Sequence, residues 1–167
     1  MKKLAISLAI IFLSTILSTL TLASTAAKTD HDPTYSFDLT GPQATEDGSG
    51  NTILITGAGS FDTGAATVIG SGAFTILNGS GAVVSRGSWK ATGFVSFCSR
   101  GGPNPGSQGG VLVITVSLNG GAPVNMTVNC HIFAPPNNAN TCSPGPEGVT
   151  VGSFTNIIRG RTLFNLN

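Results

Sequence analysis

The stretch that decides the fold is GAGSFDTGAATVIGSGAFTILNGSG, residues 57–81, which contains three Gly-x-Gly pairs. Such pairs occur in loops that hold phosphate groups and in strands that bend or approach another group closely. A dinucleotide-binding loop requires G-x-G-x-x-G before a helix, but Asp62 and Thr75 occupy the last position of the two candidate motifs. The sequence also lacks the Gly-Lys-Ser/Thr ending of a P-loop. The pattern therefore argues against the common nucleotide-binding loops.

The same stretch repeats a short unit, GAGSF at residues 57–61 and GSGAF at residues 70–74, around a DTG turn. Alternate residues of a strand point to one face, so each unit places two glycines and a phenylalanine together. These residues are Gly57, Gly59, Phe61, Gly70, Gly72 and Phe74. We interpret the stretch as a β-hairpin whose glycines let the sheet coil or leave room for a bulky neighbour such as Trp89. The alternative is a concave surface emptied of side chains for a ligand.

Further strand-like segments follow, separated by turns rich in Gly, Asn, Asp and Pro. They include AVVSRGSWKATGFVSF at 82–97, VLVITVSL at 111–118, VNMTVNCHIF at 124–133 and TLFNLN at 162–167. No segment after residue 27 has a helical period. The sequence predicts an all-β protein, a single antiparallel barrel of about eight strands preceded by an N-terminal signal helix, with a β-sandwich as the alternative. A barrel is preferred because a coiled hairpin helps closure, which removes exposed strand edges.

Three polar stretches interrupt these segments. GPQATEDGSGN at residues 41–51 follows a short alternating strand, TYSFDLT at 34–40, and is predicted to be a flexible loop. SRGGPNPGSQGG at 99–110 and APPNNANTCSPGPEG at 134–148 are predicted to be long loops at the ends of the β-scaffold. Such loops often carry the binding sites of β-proteins, although plain surface connections are the alternative.

The N-terminus has the features of a secretory signal peptide. A basic start precedes an apolar run at residues 4–23, and small residues follow, so we predict cleavage after Ala26 or Ala27. An uncleaved membrane anchor is the alternative, because the apolar run is long enough to span a bilayer. The expected location is secreted or extracellular, including a periplasm-like or cell-surface space.

The predicted organisation has three parts: a signal peptide at residues 1–27, a polar segment with one short strand at 28–52, and the β-domain at 53–167. Charged side chains make up only 9% of the chain, and its formal net charge is +1. Signal cleavage would remove Lys2 and Lys3 and leave a nearly neutral protein. We therefore expect no nucleic-acid partner and no stable membrane insertion after cleavage.

Three cysteines, Cys98, Cys130 and Cys142, suggest one disulfide and one remaining thiol in an exported chain. Cys130 shares a strand face with apolar residues such as Met126 and Val128, so it belongs to the inferred core face. We favour a bridge between Cys130 and Cys142, because Cys142 lies in the loop that follows. Bridges from Cys98 to Cys142 or to Cys130 are the alternatives.

Residues for catalysis or metal binding are scarce. The two histidines, His31 and His131, lack metal-ligand spacing, and no G-x-S-x-G nucleophile motif occurs. We predict no catalytic residue, no cofactor and no metal ligand. Asn78 and Asn125 begin glycosylation sequons, whose use depends on the source organism.

The run from the glycine hairpin through GGVLVITVSL at residues 109–118 to the terminal GRTLFNLN at 160–167 resembles a group of short secreted β-proteins of bacteria and archaea that lack an assigned function. The Gly-x-Gly-x-Phe hairpin is also similar to small antiparallel barrels of the allene oxide cyclase and dirigent type. The resemblance implies a β-fold and transfers no catalytic residue to this chain.

The expected function is non-catalytic binding of a small apolar or carbohydrate-like ligand at the barrel mouth. A structural or cell-surface interaction protein is the first alternative, and a cyclase- or isomerase-like enzyme with an apolar cavity is the second. A filled interior would favour the first alternative, whereas an apolar cavity would favour a ligand or a substrate. The sequence leaves the oligomeric state open.

Overall fold

The computed structural model describes residues 33–104, 106–132, 142 and 145–167. The predicted signal peptide and its helix lie outside the described residues, as does most of the predicted loop at 134–148. The described residues contain no helix, and so none that could span a bilayer.

All regular structure in the described residues is β-strand. The nine strands are β1 (Thr34–Glu46), β2 (Thr52–Asp62), β3 (Thr67–Leu77), β4 (Val83–Asn104), β5 (Ser107–Leu118), β6 (Val124–Cys130), β7 (Gly148–Val151), β8 (Asn156–Arg159) and β9 (Thr162–Leu166). The all-β prediction is confirmed. The predicted hairpin at residues 57–81 is formed by β2 and β3, which pair without interruption from Asp62 and Thr67 to Thr52 and Leu77.

Six strands close into an antiparallel barrel in the order β1, β2, β3, β4, β5 and β9. The ring closes between its first and last strands, where β1 pairs with β9 from Tyr35 opposite Leu166 to Leu39 opposite Thr162. Three strands lie outside this ring: β6 pairs with β5, β7 with β6, and β8 with β1. The barrel is therefore confirmed, with six strands in the closed ring and three additional ones.

The first strand is longer than predicted, because β1 continues to Glu46 beyond an irregularity between Leu39 and Gln43. The prediction of a loop is wrong for residues 41–46. Polar residues of this part are buried and satisfied: Gln43 Nε2 donates to Arg161 O at 2.8 Å, and Gln43 Oε1 accepts from Arg161 N at 2.9 Å. Thr45 Oγ1 donates to Val149 O. The polar composition of residues 41–46 therefore resembles that of a loop, although the segment is part of a strand and three of its residues are buried.

The predicted loop at residues 99–110 is also mostly strand. β4 runs to Asn104 and β5 begins at Ser107, so the two strands form one long hairpin. Four register shifts interrupt their pairing between Ala91 and Asn104. Bulges of this kind remove the strict alternation by which a strand is recognised, so the segment resembles a loop in sequence.

Aromatic rings fill the barrel near the ends of β1, β2 and β9. The ring of Phe61 stacks on Tyr35 with centroids 5.1 Å apart and meets Phe97 at 4.7 Å. Phe94 and Phe164 lie 6.0 and 6.1 Å from the same ring. The interior at this end is therefore a packed aromatic core, in which buried area stabilises the fold.

Candidate binding groove

The inner face of the glycine hairpin is occupied by two buried rings, Trp89 and Phe37. A Cβ at Gly57 or at Gly72 would lie 2.5 Å from an atom of the Trp89 ring. A Cβ at Gly59 would lie 2.5 Å from the Phe37 ring. The structure thus places Trp89 where the sequence interpretation put a bulky neighbour.

The Trp89 ring is also held by a hydrogen bond. Its Nε1 donates to Thr56 O on β2 at 2.8 Å, so the polar atom of a fully buried side chain has a partner. A buried donor without a partner would cost free energy. The inner side of the hairpin is therefore closed to a ligand, and a site on this hairpin must lie on its outer side.

An open groove of about 690 Å³ lies on that outer side. It is lined by residues 58–60 of β2, 69–71 of β3 and 88–90 of β4. The last pair between β3 and β4 is Ser71 opposite Lys90, and beyond Lys90 β4 pairs only with β5, on its other edge. The groove therefore lies where β3 and β4 part, within the volume range of small-molecule sites, about 300–1,000 Å³.

Small side chains line the groove, and most of its surface is apolar. Ala58, Ser60, Ser71 and Ser88 contribute little bulk, and Lys90 is the only charged residue among those that line it. Ile69 points outward and is 73% exposed. The groove can therefore offer hydroxyl groups, one cation and one exposed apolar side chain.

One strand edge beside the groove is unpaired. Within the described part of the chain, Thr67 to Gly70 of β3 pair only with β2, and β4 beyond Lys90 pairs only with β5. The pairing of β3 with β2 is continuous, whereas the pairing of β4 with β5 on its other edge carries four register shifts. An unpaired regular edge presents N–H and C=O groups that can pair with another chain.

A second, smaller cavity of about 200 Å³ lies beside the predicted 134–148 loop. Its lining includes Val111, Asn129 and Pro146. Asn129 Nδ2 donates to Gly145 O at 2.8 Å and to Pro146 O at 2.9 Å, so this side chain is engaged in holding the segment. The cavity is a packing gap under a fastened segment rather than an open groove.

The disulfide joins Cys98 to Cys142, with the Cα atoms 5.7 Å apart, and the favoured pairing of Cys130 with Cys142 is wrong. Cys98 stands opposite Val111 of β5, whereas Cys130 stands opposite the next residue, Gly110. Successive strand residues face opposite sides. Cys130 therefore lies on the buried core face, where its Sγ donates to Thr162 O at 3.2 Å, whereas Cys98 lies on the opposite face and bonds to Cys142.

Titratable groups do not assemble into a reactive cluster. No group of three or more His, Cys, Asp or Glu side chains that could hold a metal occurs among the described residues. His131 is exposed, and its Nε2 contacts Gly145 O. Burial raises the pKa of Tyr35, and a hydrogen bond from the Asn51 side chain lowers the pKa of Asp47. Neither residue lines the groove.

Sequence reasoning singled out the glycines and rings of the hairpin but missed the outward residues Ile69, Ser71 and Lys90. A signal was present for Ile69, which is out of phase with Gly70 and Gly72 and is therefore an apolar residue on the outer face. The point at which β3 and β4 separate had no such signal, because the sequence of one strand does not show where its pairing with another ends. Comparisons with protein-family models, with curated proteins and with solved structures found no match to this chain.

Proposed function

We propose that the protein is a non-catalytic binding protein that holds an elongated polar ligand in the groove between β3 and β4. The observation that carries this proposal is the contrast between the two sides of the hairpin. Its inner face is filled by Trp89 and Phe37, whereas its outer face carries an open groove of about 690 Å³. A site on the hairpin is therefore an outer one.

The filled interior moves the expected site away from the barrel mouth. The rings around Phe61 occupy the end of the barrel at which a small apolar ligand would enter. The groove instead offers the hydroxyl groups of Ser60, Ser71 and Ser88 together with the Lys90 ammonium. These groups suit a ligand with hydrogen-bonding atoms along its length and a negative charge near Lys90.

A place of action outside the cell is part of the proposal. The disulfide between Cys98 and Cys142 is compatible with an oxidising, extracellular compartment. The signal-like N-terminus supports the same location. An enzyme, the remaining candidate from the sequence, would need an ionisable group perturbed by burial beside its substrate. The charged residue of the groove, Lys90, is exposed, which favours binding over catalysis.

The proposed function can be tested by measuring the binding of ligands to the groove and the effect of blocking it. Isothermal titration calorimetry measures binding to the groove without relying on Trp89, whose buried ring faces the inner side of the hairpin. Three probes cover the ligand classes: polygalacturonate as an anionic polysaccharide, dextran as a neutral one, and a pool of random dodecapeptides. We expect saturable binding of at least one probe. Ser71→Phe should weaken that binding about tenfold or more, because the new ring occupies the groove.

Asn125→Phe is the matched control, since Asn125 is an equally exposed strand residue outside the groove. It should leave binding within about twofold of the wild type. If no probe binds saturably, or if both variants bind as the wild type does, the proposed function is wrong.

A further inference from the structure

We propose that the ligand of the groove is an extended polypeptide segment that pairs with the free edge of β3, Thr67 to Gly70, and adds a strand to the sheet. This inference rests on the proposed function of the groove and names its ligand class. Strand addition derives affinity from main-chain hydrogen bonds and specificity from alternate side chains.

The backbone of β3 supplies the hydrogen-bonding edge. Thr67 to Gly70 pair with β2 on one side, in continuous register, and no strand covers the other side within the described residues. Continuous register keeps the unpaired N–H and C=O groups evenly spaced, as a docking strand requires. A saccharide has no matching ladder of donors and acceptors.

The edge also lacks the features by which proteins block strand addition. Edges are commonly protected by Lys, Pro, bulges or covering segments. The stretch from Thr67 to Gly70 contains no proline and no charged residue, and it exposes 73% of Ile69. Beyond Lys90, β4 is itself irregular, because its pairing with β5 on the other edge shifts register between Ala91 and Gly93 and again farther along. Among the described strands that border the groove, the β3 edge is therefore the regular one.

The shape of the groove favours a single segment over a second copy of the barrel. β3 and β4 part at Ser71 and Lys90, and β4 then continues against β5. The free edge therefore lies in a V-shaped gap in the barrel wall, bounded on its far side by β4. One extended chain can enter this gap, whereas a second barrel would bring its own β2 against β4.

Charge and apolar contacts define the segment further. Lys90 stands at the apex of the gap, opposite Ser71. An acidic side chain near the apex would meet this cation. A β-branched or aromatic residue opposite Ile69 would cover its exposed surface, as cross-strand pairs do. We therefore expect an acidic, β-prone segment.

The test begins with a library of random dodecapeptides displayed on phage and selected against the wild-type protein. Selected peptides should bind Ile69→Lys and Lys90→Glu about tenfold or more weakly than the wild type. Ile69→Lys places a charge beside the strand edge, and Lys90→Glu replaces the positive charge with a negative one. Ile158→Lys and Arg159→Glu are the matched controls. Ile158 is 56% exposed and both residues lie on β8, outside the groove, so binding should stay within about twofold.

Amide hydrogen exchange gives an independent readout. A bound peptide should protect alternate amides between Thr67 and Gly70, since alternate N–H groups of a strand point to the same edge. Peptides that bind without this protection, or that bind Ile69→Lys as well as the wild type, overturn strand addition.

The remaining outcomes separate the two proposals. If polygalacturonate binds in a Ser71-dependent manner and the library yields no edge binder, the groove functions in binding but its ligand is not a polypeptide. If dextran, polygalacturonate and the peptide library all fail to bind, both proposals fail. A wild-type dimer that dissociates on Ile69→Lys would identify a second copy as the occupant and overturn the peptide assignment.

Discussion

The ring of Trp89 lies directly over Gly72, where a Cβ would come within 2.5 Å of Trp89 Nε1. The same Nε1 donates to Thr56 O, which itself lies against Gly72 from the neighbouring strand. Three strands therefore meet at a position that has no space for a side chain. The absence of a side chain at Gly72 is a packing requirement of the barrel wall.

Gly72→Ala should destabilise the protein by about 1–3 kcal/mol, because the new methyl group would overlap a backbone oxygen and a buried ring. Gly79→Ala is the control, since the nearest atom to a Cβ there lies at 3.6 Å. Urea unfolding followed by Trp89 fluorescence measures both. Equal midpoints for the two variants would show that the wall adjusts to the methyl group.

Reduction of the Cys98–Cys142 bridge should lower the free energy of unfolding by about 2–4 kcal/mol. The bridge links residues 44 apart in sequence, so it restricts a long stretch of the unfolded chain. Dithiothreitol should shift the unfolding midpoint of the wild type and of Cys130→Ala, but not that of a Cys98→Ser/Cys142→Ser double variant. A shift that disappears in Cys130→Ala would contradict the assigned pairing.

Asn119→Asp should destabilise the protein by about 0.5–1.5 kcal/mol. Asn119 Nδ2 donates to Arg86 O at 3.3 Å and its Oδ1 accepts from Ser88 N at 3.1 Å, so a carboxylate would turn one oxygen toward a carbonyl. Asn78→Asp is the matched control in another Asn-Gly turn. Asn78 Oδ1 accepts from Ser80 and Ala82, as a carboxylate also would. Thermal unfolding that ranks the two variants equally would refute the prediction.

Asp47 should make stability depend on pH in the acid range. The Asn51 side chain, with backbone donors of Asn51 and Ser49, lowers the pKa of Asp47 in the folded protein. The resulting stabilisation is present above the unfolded pKa, about 3.9, and is lost as pH falls through the folded pKa. Asp47→Asn should therefore lose less stability than the wild type between pH 5 and pH 2, as urea titrations at each pH would measure. Identical pH profiles would exclude this contribution.

The barrel and its central hairpin were predictable because alternation and the glycine repeat are local properties of the sequence. Buried polar residues were harder: Gln43 and Thr45 resemble loop residues until their partners, Arg161 and Val149, are known from the fold. The short strands β7 and β8 were not predicted, since four residues carry little periodicity.

The assignment of strand faces contained a clue to the cysteine pairing. The face assignment put Cys130 on the core side, and the structure confirms that position. Cys98 lies on the opposite face of the sheet and forms the bridge with Cys142. The groove was harder to predict from the sequence, because its position depends on where β4 stops pairing with β3.

The pairing of β1 with β9 has a consequence for biosynthesis. Tyr35 lies opposite Leu166, and Asn167 N donates to Thr34 O at 2.9 Å, so the ring is sealed by strands made about 130 residues apart on the ribosome. A nascent chain can form the glycine hairpin early, but it cannot close the barrel before β9 has emerged. Closure of the barrel should therefore be slow, as is typical of non-local β-topologies.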